Sequence, residues 1–273
     1  MDAMFSGIFP RSRLSVLTGH AQDDVKSVFA MHALVEFLVA HPKCAAIWID
    51  TLGVFQGFLF RDILRLYFSR QSLDNNEAGF DERLAKASER VQLIRVFDAT
   101  GLQESLYELE NSFANTTSQA ANVDDTDQET SGFLVIDSIS ATYSRAMAHD
   151  QSMGHAYMET FLKTLGKFSR TYNITSILIN SSVTATSADV VRSQFDSVAQ
   201  KPSLGSTFLY LVDFCTLISR DPRSGVYVLE ILADRWRATE GHLLYFELVV
   251  GAEFLILMAR DRLLIVAFRT ISS

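Results

Sequence analysis

Short apolar runs alternate along the chain with longer stretches in which apolar residues recur every three or four positions, as strands alternating with helices do. Leu14 to Leu17 is the first run and ends at Thr18-Gly19. A helix is predicted from about Lys26 to Ala40, followed by a strand from Ala45 to Ile49 that ends at Asp50. A second helix around Phe58 to Phe68 leads into a polar, exposed segment near Ser72 to Gly79. Val91 to Phe97 is the third strand, and after it Leu102, Leu106, Leu109 and Phe113 repeat at helical spacing. The run Phe133 to Ile136, ending in Asp137-Ser138, reads as a buried parallel strand that delivers a carboxylate to the sheet edge. Met158, Phe161, Leu162, Leu165 and Phe168 share one face of the next helix, and Ile174 to Ile179 is another buried strand. Ser181 to Ser206 is mostly polar. Phe208 to Ser219, Val226 to Leu232 and Leu243 to Val250 read as later strands, the last two antiparallel.

Repeated strand–helix–strand units predict an α/β fold with a mostly parallel sheet, helices on both faces and an antiparallel C-terminal edge. At 273 residues the chain suits one large domain. We place its core at 13–248, between an extension of residues 1–12 and a C-terminal extension of 249–273. Asn115 to Ser131 is rich in Asn, Thr, Ser and Asp, and reads as a disordered loop insertion within that core.

A hydrophobic content of 48% supports a real core, and the net charge of −8 argues against nonspecific coating of nucleic acid while leaving room for a local basic face. Cys44 and Cys215 each sit in or beside an apolar run, so two small buried hydrophobes in a reducing compartment are expected rather than a disulfide or a zinc site. No secretory signal is read at the N-terminus. The most membrane-like stretch, Leu248 to Phe268, is interrupted by Glu253, Arg260, Asp261 and Arg262, which makes a spanning helix costly. A soluble, intracellular protein is expected.

The first strand is followed by Thr18-Gly19-His20-Ala21-Gln22-Asp23-Asp24-Val25-Lys26-Ser27. A phosphate loop needs G-x-x-x-x-G-K-[ST]: glycines to let the backbone wrap phosphate, a lysine to neutralise it and a hydroxyl for magnesium. Lys26-Ser27 stands where the lysine and hydroxyl belong, but Val25 precedes it, Gly19 lies one residue too far away, and Asp23 and Asp24 face the anion. Gly19, Lys26, Ser27 and Asp137 therefore make a vestigial nucleotide site. No catalytic residue, metal or cofactor is expected, ATP with magnesium being the group such a loop once suited. The second strand ends Ile49-Asp50-Thr51-Leu52-Gly53, and Leu52 cannot accept a proton.

These segments resemble the eukaryotic RecA-like DNA recombinases, especially their degenerate paralogues of the Rad type found as Shu-complex-like recombination mediators. Ala46 to Phe55 (AIWIDTLGVF) is similar to the family's YIDTEGTF strand, with Leu52 at the catalytic glutamate; Leu134 to Tyr143 (LVIDSISATY) is similar to LIVDSATALY. Ile179-Asn180-Ser181-Ser182-Val183 stands where the family has ITNQV, and Lys201-Pro202-Ser203-Leu204-Gly205 resembles the turn closing the second DNA-binding loop. The resemblance implies a RecA-like core whose two loops line a DNA channel, at about Tyr143 to His155 with Arg145 and His149, and at about Ser181 to Lys201 with Arg192 and Lys201. With only about a dozen residues before the first strand, the family's helical N-terminal domain is expected to have no counterpart. Arg235-Trp236-Arg237 adds a cation–aromatic cluster of the kind single-strand binders use, or a surface hairpin with its tryptophan packed on the sheet.

The implied function is a non-catalytic accessory subunit, nuclear, pairing with another recombinase paralogue, binding single-stranded or forked DNA and supporting the recombinase filament in homologous recombination. Met4, Phe5, Ile8 and Phe9 are expected to anchor the partner. The rivals are a DNA-dependent ATPase with an unorthodox phosphate loop, and a RecA-fold scaffold without a DNA role, like the ring subunits of Elongator.

Overall fold

The central strands read as unbroken apolar runs because both of their faces are buried. In the computed structural model, Phe133 and Val135 join one hydrophobic core and Leu134 and Ile136 the other. Trp48 and Ile49 divide in the same way. The period of two that puts successive side chains on opposite faces thus feeds two cores at once. The structure describes residues 8–71, 77–120, 132–189, 191–193, 199–220, 225–236, 243–248 and 254–259.

In chain order the elements are β1 (Leu14–Gly19), α1 (Val25–Ala40), β2 (Ala45–Asp50), α2 (Gly57–Gln71), α3 (Glu77–Glu89), β3 (Val91–Arg95), α4 (Ala99–Ala120) and β4 (Gly132–Asp137). Then come α5 (Ile139–His149), α6 (Gln151–Thr171), β5 (Ile174–Thr184), β6 (Gln200–Pro202), α7 (Gly205–Tyr210), β7 (Phe214–Arg220), β8 (Tyr227–Asp234), β9 (Leu243–Leu248) and β10 (Phe254–Ala259). The sheet order is β10-β9-β8-β7-β1-β5-β4-β2-β3, with β6 paired to β5. From β7 to β3 every neighbouring pair is parallel. From β7 to β10 the pairs are antiparallel. The expected mostly parallel α/β sheet with an antiparallel C-terminal edge is the one observed. Helices α1, α2 and α3 cover one face, and α4, α5 and α6 the other.

Several elements differ from the sequence reading. Residues 77–89, whose first three fall in the segment Ser72 to Gly79 read as polar and exposed, form α3. Its apolar signal is thin: Phe80, Leu84 and Ala87 pack on the core, while Glu82 and Lys86 pair at 2.7 Å across one exposed turn. Helix α4 runs through Ala120, so residues 115–120 of the expected loop insertion are helical, and 121–131 lie outside the described residues. The first expected DNA loop, Tyr143 to His155, is mostly helix. Asp150 divides α5 from α6: its N–H caps the Ala146 carbonyl while its carboxylate accepts from Met153 N at 2.9 Å. Gly154 lets the two helices meet, since an added Cβ would lie 2.7 Å from the Met147 nitrogen. The strand read from Phe208 begins only at Phe214, after the short helix α7. An apolar stretch running through both gave no change of period to separate them.

The N-terminal anchor is corrected in part. Phe9 is 2% exposed and sits edge-on to Phe29 and Phe214, at centroid distances of 6.3 and 6.4 Å. It belongs to this chain's own core, and Ile8 packs beside it. Met4 and Phe5 lie outside the described residues. Replacing Phe9 with Ala empties a fully enclosed aromatic site, so chemical denaturation is expected to show a loss of about 3–5 kcal/mol. A loss below about 1 kcal/mol places Phe9 outside the core.

Candidate functional site

The register of the parallel strands brings the sequence-predicted groups to one edge. Gly19 at the end of β1 lies opposite Ser181 of β5, Asp137 of β4 opposite Ile179, and Asp50 of β2 opposite Asp137. Sheets of this kind bind ligands outside the carboxyl ends of their strands. Gly19 is required there by close approach: a Cβ would come within 3.0 Å of both the Ile218 carbonyl oxygen and the Lys26 stem.

The loop from His20 to Lys26 satisfies its own polar groups. Asp23 N donates to the His20 carbonyl at 3.1 Å, Val25 N donates to Asp23 Oδ1 at 3.1 Å, and Gln22 N makes a long 3.4 Å contact with His20 Nδ1. The Tyr227 hydroxyl of β8 is also hydrogen-bonded to Asp23. A helix N-terminus favours an anion, and here a carboxylate of the chain's own supplies one. Lys26 is 5% exposed and folds back so that its Nζ donates to the carbonyls of His20 and of Asp23, the latter at 2.8 Å. Burial pulls its ammonium below the ordinary lysine value, against the opposing pull of Asp23, Asp137 and Asp24.

Ser27 and Asp137, 110 residues apart in sequence, meet at 2.6 Å with the hydroxyl donating to Oδ2. Asp137 is 3% exposed, and burial pushes its carboxyl up to about 6. The Ser27 hydrogen bond and Lys26 oppose that shift, while Asp50 and Asp24 add to it. Lys26, Ser27 and Asp137 are therefore assembled as the sequence suggested, with Gly19 beneath them.

Asp50 has a different role from a catalytic acid. Its Oδ1 accepts from the N–H groups of Leu52, Gly53 and Val54 at 2.8–3.2 Å, and its Oδ2 accepts from Phe55 N at 3.0 Å. Every contact on that carboxylate serves the turn that follows, which Gly53 enters with φ of 73°. Leu52 points no proton acceptor at the site and is 49% exposed. The adjoining hydroxyls are likewise linked to one another: Thr51 Oγ1 bonds the Ser138 backbone, Ser138 Oγ meets Ser140 Oγ at 3.1 Å, and Ser140 Oγ meets Ser181 Oγ at 3.0 Å. Ser182 donates to Gln200 and Ser203 donates to Asn180. Sequence reasoning placed Asp23 at the loop, facing the anion, but missed Tyr227, its hydroxyl partner on a distant strand.

The DNA-binding candidates do not share one face. Arg145 and His149 lie one turn apart on α5, exposed, with Arg145 Nε donating to the Ala141 carbonyl at 2.9 Å. Lys201 of β6, opposite Val183 of β5, is at the same sheet edge but is held by Asp189 at 2.5 Å. That lysine, with Thr186, holds the Asp189 carboxyl down at about 2. Arg192 is half-buried in the segment leading to β6. Arg235 is at the opposite edge, because β8 runs antiparallel and its end lies beside the start of β7. Arg235 Nη2 donates to the Leu209 carbonyl, and the Trp236 ring is covered by Arg13 at 3.9 Å. Arg237 lies outside the described residues.

The raised Asp137 carboxyl makes stability depend on pH. Its folded value of about 6 exceeds the ordinary 3.8, so the folded state holds the proton more tightly and this contribution is complete below about pH 4. It is lost as pH rises through 6, when the buried group must ionise. Asp137→Asn removes that cost while keeping an acceptor for Ser27. Denaturation is expected to show the variant gaining on the parent by about 2–3 kcal/mol between pH 4 and pH 7.5. A pH-independent difference contradicts the burial argument.

No family model matches the chain, and no curated protein matches it by sequence. Among solved structures it is similar to the crystal structure of the RadB recombinase, with a TM-score of 0.60 and 18% identity over 88% of this chain and 89% of that one. The chain has the fold of a RecA-like recombinase.

Proposed function

We propose that this chain is a non-hydrolysing recombinase paralogue, an accessory DNA-binding subunit of a heteromeric complex that promotes homologous recombination and DNA repair in the nucleus. The observation that carries the reading is a RecA-like core whose phosphate cradle is closed by its own groups: Asp23 on Val25 N–H, and Lys26 on the loop carbonyls. A fold that keeps its strand order while its loop bonds to itself suits binding and assembly better than turnover. The Ser27–Asp137 hydrogen bond favours the rival ATPase, for which Leu52 offers no base.

Arg145 on α5 and Arg192 beyond β5 are the cations assigned to the DNA backbone, with His149 on α5 as a hydrogen-bonding contact; Lys201 is largely neutralised by Asp189. The partner is another recombinase paralogue, and the DNA single-stranded or forked. The complex purified from its native cell is expected to bind single-stranded DNA with log affinity falling linearly against log salt. Arg145→Ala with Arg192→Ala should flatten that slope by about 1.4, at roughly 0.7 per phosphate contact. Binding that is absent, or indifferent to salt, favours the scaffold reading.

A further inference from the structure

The amino ends of the parallel strands lie at the sheet edge opposite Gly19 and Asp137, and separate pieces of the chain build a cation–aromatic junction there. Asp213, just before β7, is its hub. Asp213 Oδ2 accepts from Leu14 N at 3.1 Å, its Oδ1 lies 3.4 Å from the Trp236 indole nitrogen, and Arg170 at the end of α6 reaches Oδ2 at 3.9 Å. The Arg13 guanidinium lies 3.9 Å over the Trp236 ring. Arg235 N donates to the Asp213 carbonyl, and its Nη2 donates to the Leu209 carbonyl, each at 3.2 Å. Tyr210 follows that carbonyl in sequence.

Two features of this junction point outward to a ligand. The first is surplus charge: Arg13, Arg170 and Arg235 share one carboxylate. Arg170 meets it at the outer limit of an ion pair, in an exposed setting where such a pair contributes little. Among the described residues neither Arg13 nor Arg235 forms an ion pair. In a chain of net charge −8 this is a local basic face. The second is exposed aromatic surface. Trp236 is 59% exposed although Arg13 covers one of its faces, so the exposure belongs to the other face and the edge. Tyr210 is 71% exposed. A tryptophan that only packed a hairpin onto the sheet would be buried. Cations around open, flat rings match a phosphate backbone and an unstacked base together, whereas an acidic peptide would use the cations and leave the rings idle.

We propose that this edge is a second binding surface, for single-stranded nucleic acid. Arg13, Arg170 and Arg235 meet the phosphates, a base stacks on the open face of Trp236, and Tyr210 offers a neighbouring ring. The surface is distinct from the one assigned to Arg145 and Arg192. The six residues of β1 set Arg13 about 20 Å from the edge where Gly19 lies. One sheet thus holds nucleic acid at both of its ends. The assignment stands on this chain's own side chains and needs neither a partner subunit nor the Arg145 surface.

Trp236 itself reports occupancy, because Trp48, the chain's other tryptophan, is 1% exposed. Oligo-dT of about twelve nucleotides, within the usual span of one single-strand-binding module, is titrated into the full-length chain at low salt. Saturable quenching is expected, and its loss in Trp236→Phe. Arg13→Gln, Arg170→Gln and Arg235→Gln should each weaken binding severalfold and flatten the slope of log affinity against log salt by about 0.7. Asp213→Asn, which keeps an acceptor for Leu14 N–H while removing the opposing charge, should tighten it. Oligo-U in a second arm separates RNA from DNA, and quenching by either supports the surface. No quenching by either, equal quenching by an oligoglutamate peptide, or quenching indifferent to all three arginines overturns the assignment. Anisotropy of a labelled oligonucleotide keeps the two surfaces apart. Binding that depends on Arg145 and Arg192 alone overturns this surface and leaves the functional reading standing; quenching that survives while those two substitutions change nothing does the reverse.

Discussion

A buried ammonium needs oxygen, and at Lys26 the oxygen comes from the loop that precedes it. Taking such a charge out of water costs several kcal/mol unless its protons are met. The carbonyls of His20 and Asp23 meet them, which bends the loop back over the start of α1. Once bent, it turns the Asp23 carboxylate onto Val25 N–H, where a phosphate oxygen would otherwise sit. Gly19 makes the geometry possible by leaving room for the lysine stem. The closed cradle follows from that one folded-back side chain, while the Asp137 carboxyl beside it is raised by its own burial.

The architecture around the site survives because it depends on other forces. The parallel block is held by two apolar cores and a register that aligns Gly19, Asp50, Asp137 and Ser181 at one edge. None of those contacts needs a nucleotide. A fold can therefore retain its strand ends while the groups there take up structural work, as Asp50 does by gathering four backbone N–H groups of its turn. The hydroxyl chain from Ser138 through Ser140 to Ser181 ties β4 to β5 in the same way.

Much of this was legible in the sequence. An apolar run that ends in an acid says which end of a buried strand the carboxylate occupies, so Asp50 and Asp137 were placed correctly from residues alone. The offset of Lys26-Ser27 from Gly19 was equally plain. Long-range hydrogen bonding was not. Nothing local to Asp23 announces Tyr227, 204 positions away and brought near only by the β7–β8 hairpin. Helix α3 was missed because Phe80 and Leu84 are its only large apolar residues and give little period to read. Phe9 looked like a spare anchor because its neighbours in sequence, Ile8 and Pro10, say nothing of the Phe29 and Phe214 rings that enclose it. Arg235 was grouped with Arg145 by chemistry, and the antiparallel run of β8 sends it to the other end of the sheet.

The self-closed cradle is tested most directly by calorimetric titration of ATP with magnesium into the purified chain at neutral pH. With Asp23 on the helix N-terminus and Lys26 committed to carbonyl oxygens, no saturable heat is expected up to millimolar nucleotide. Micromolar binding that Lys26→Ala abolishes contradicts the account, because it requires the lysine to leave its loop and neutralise phosphate.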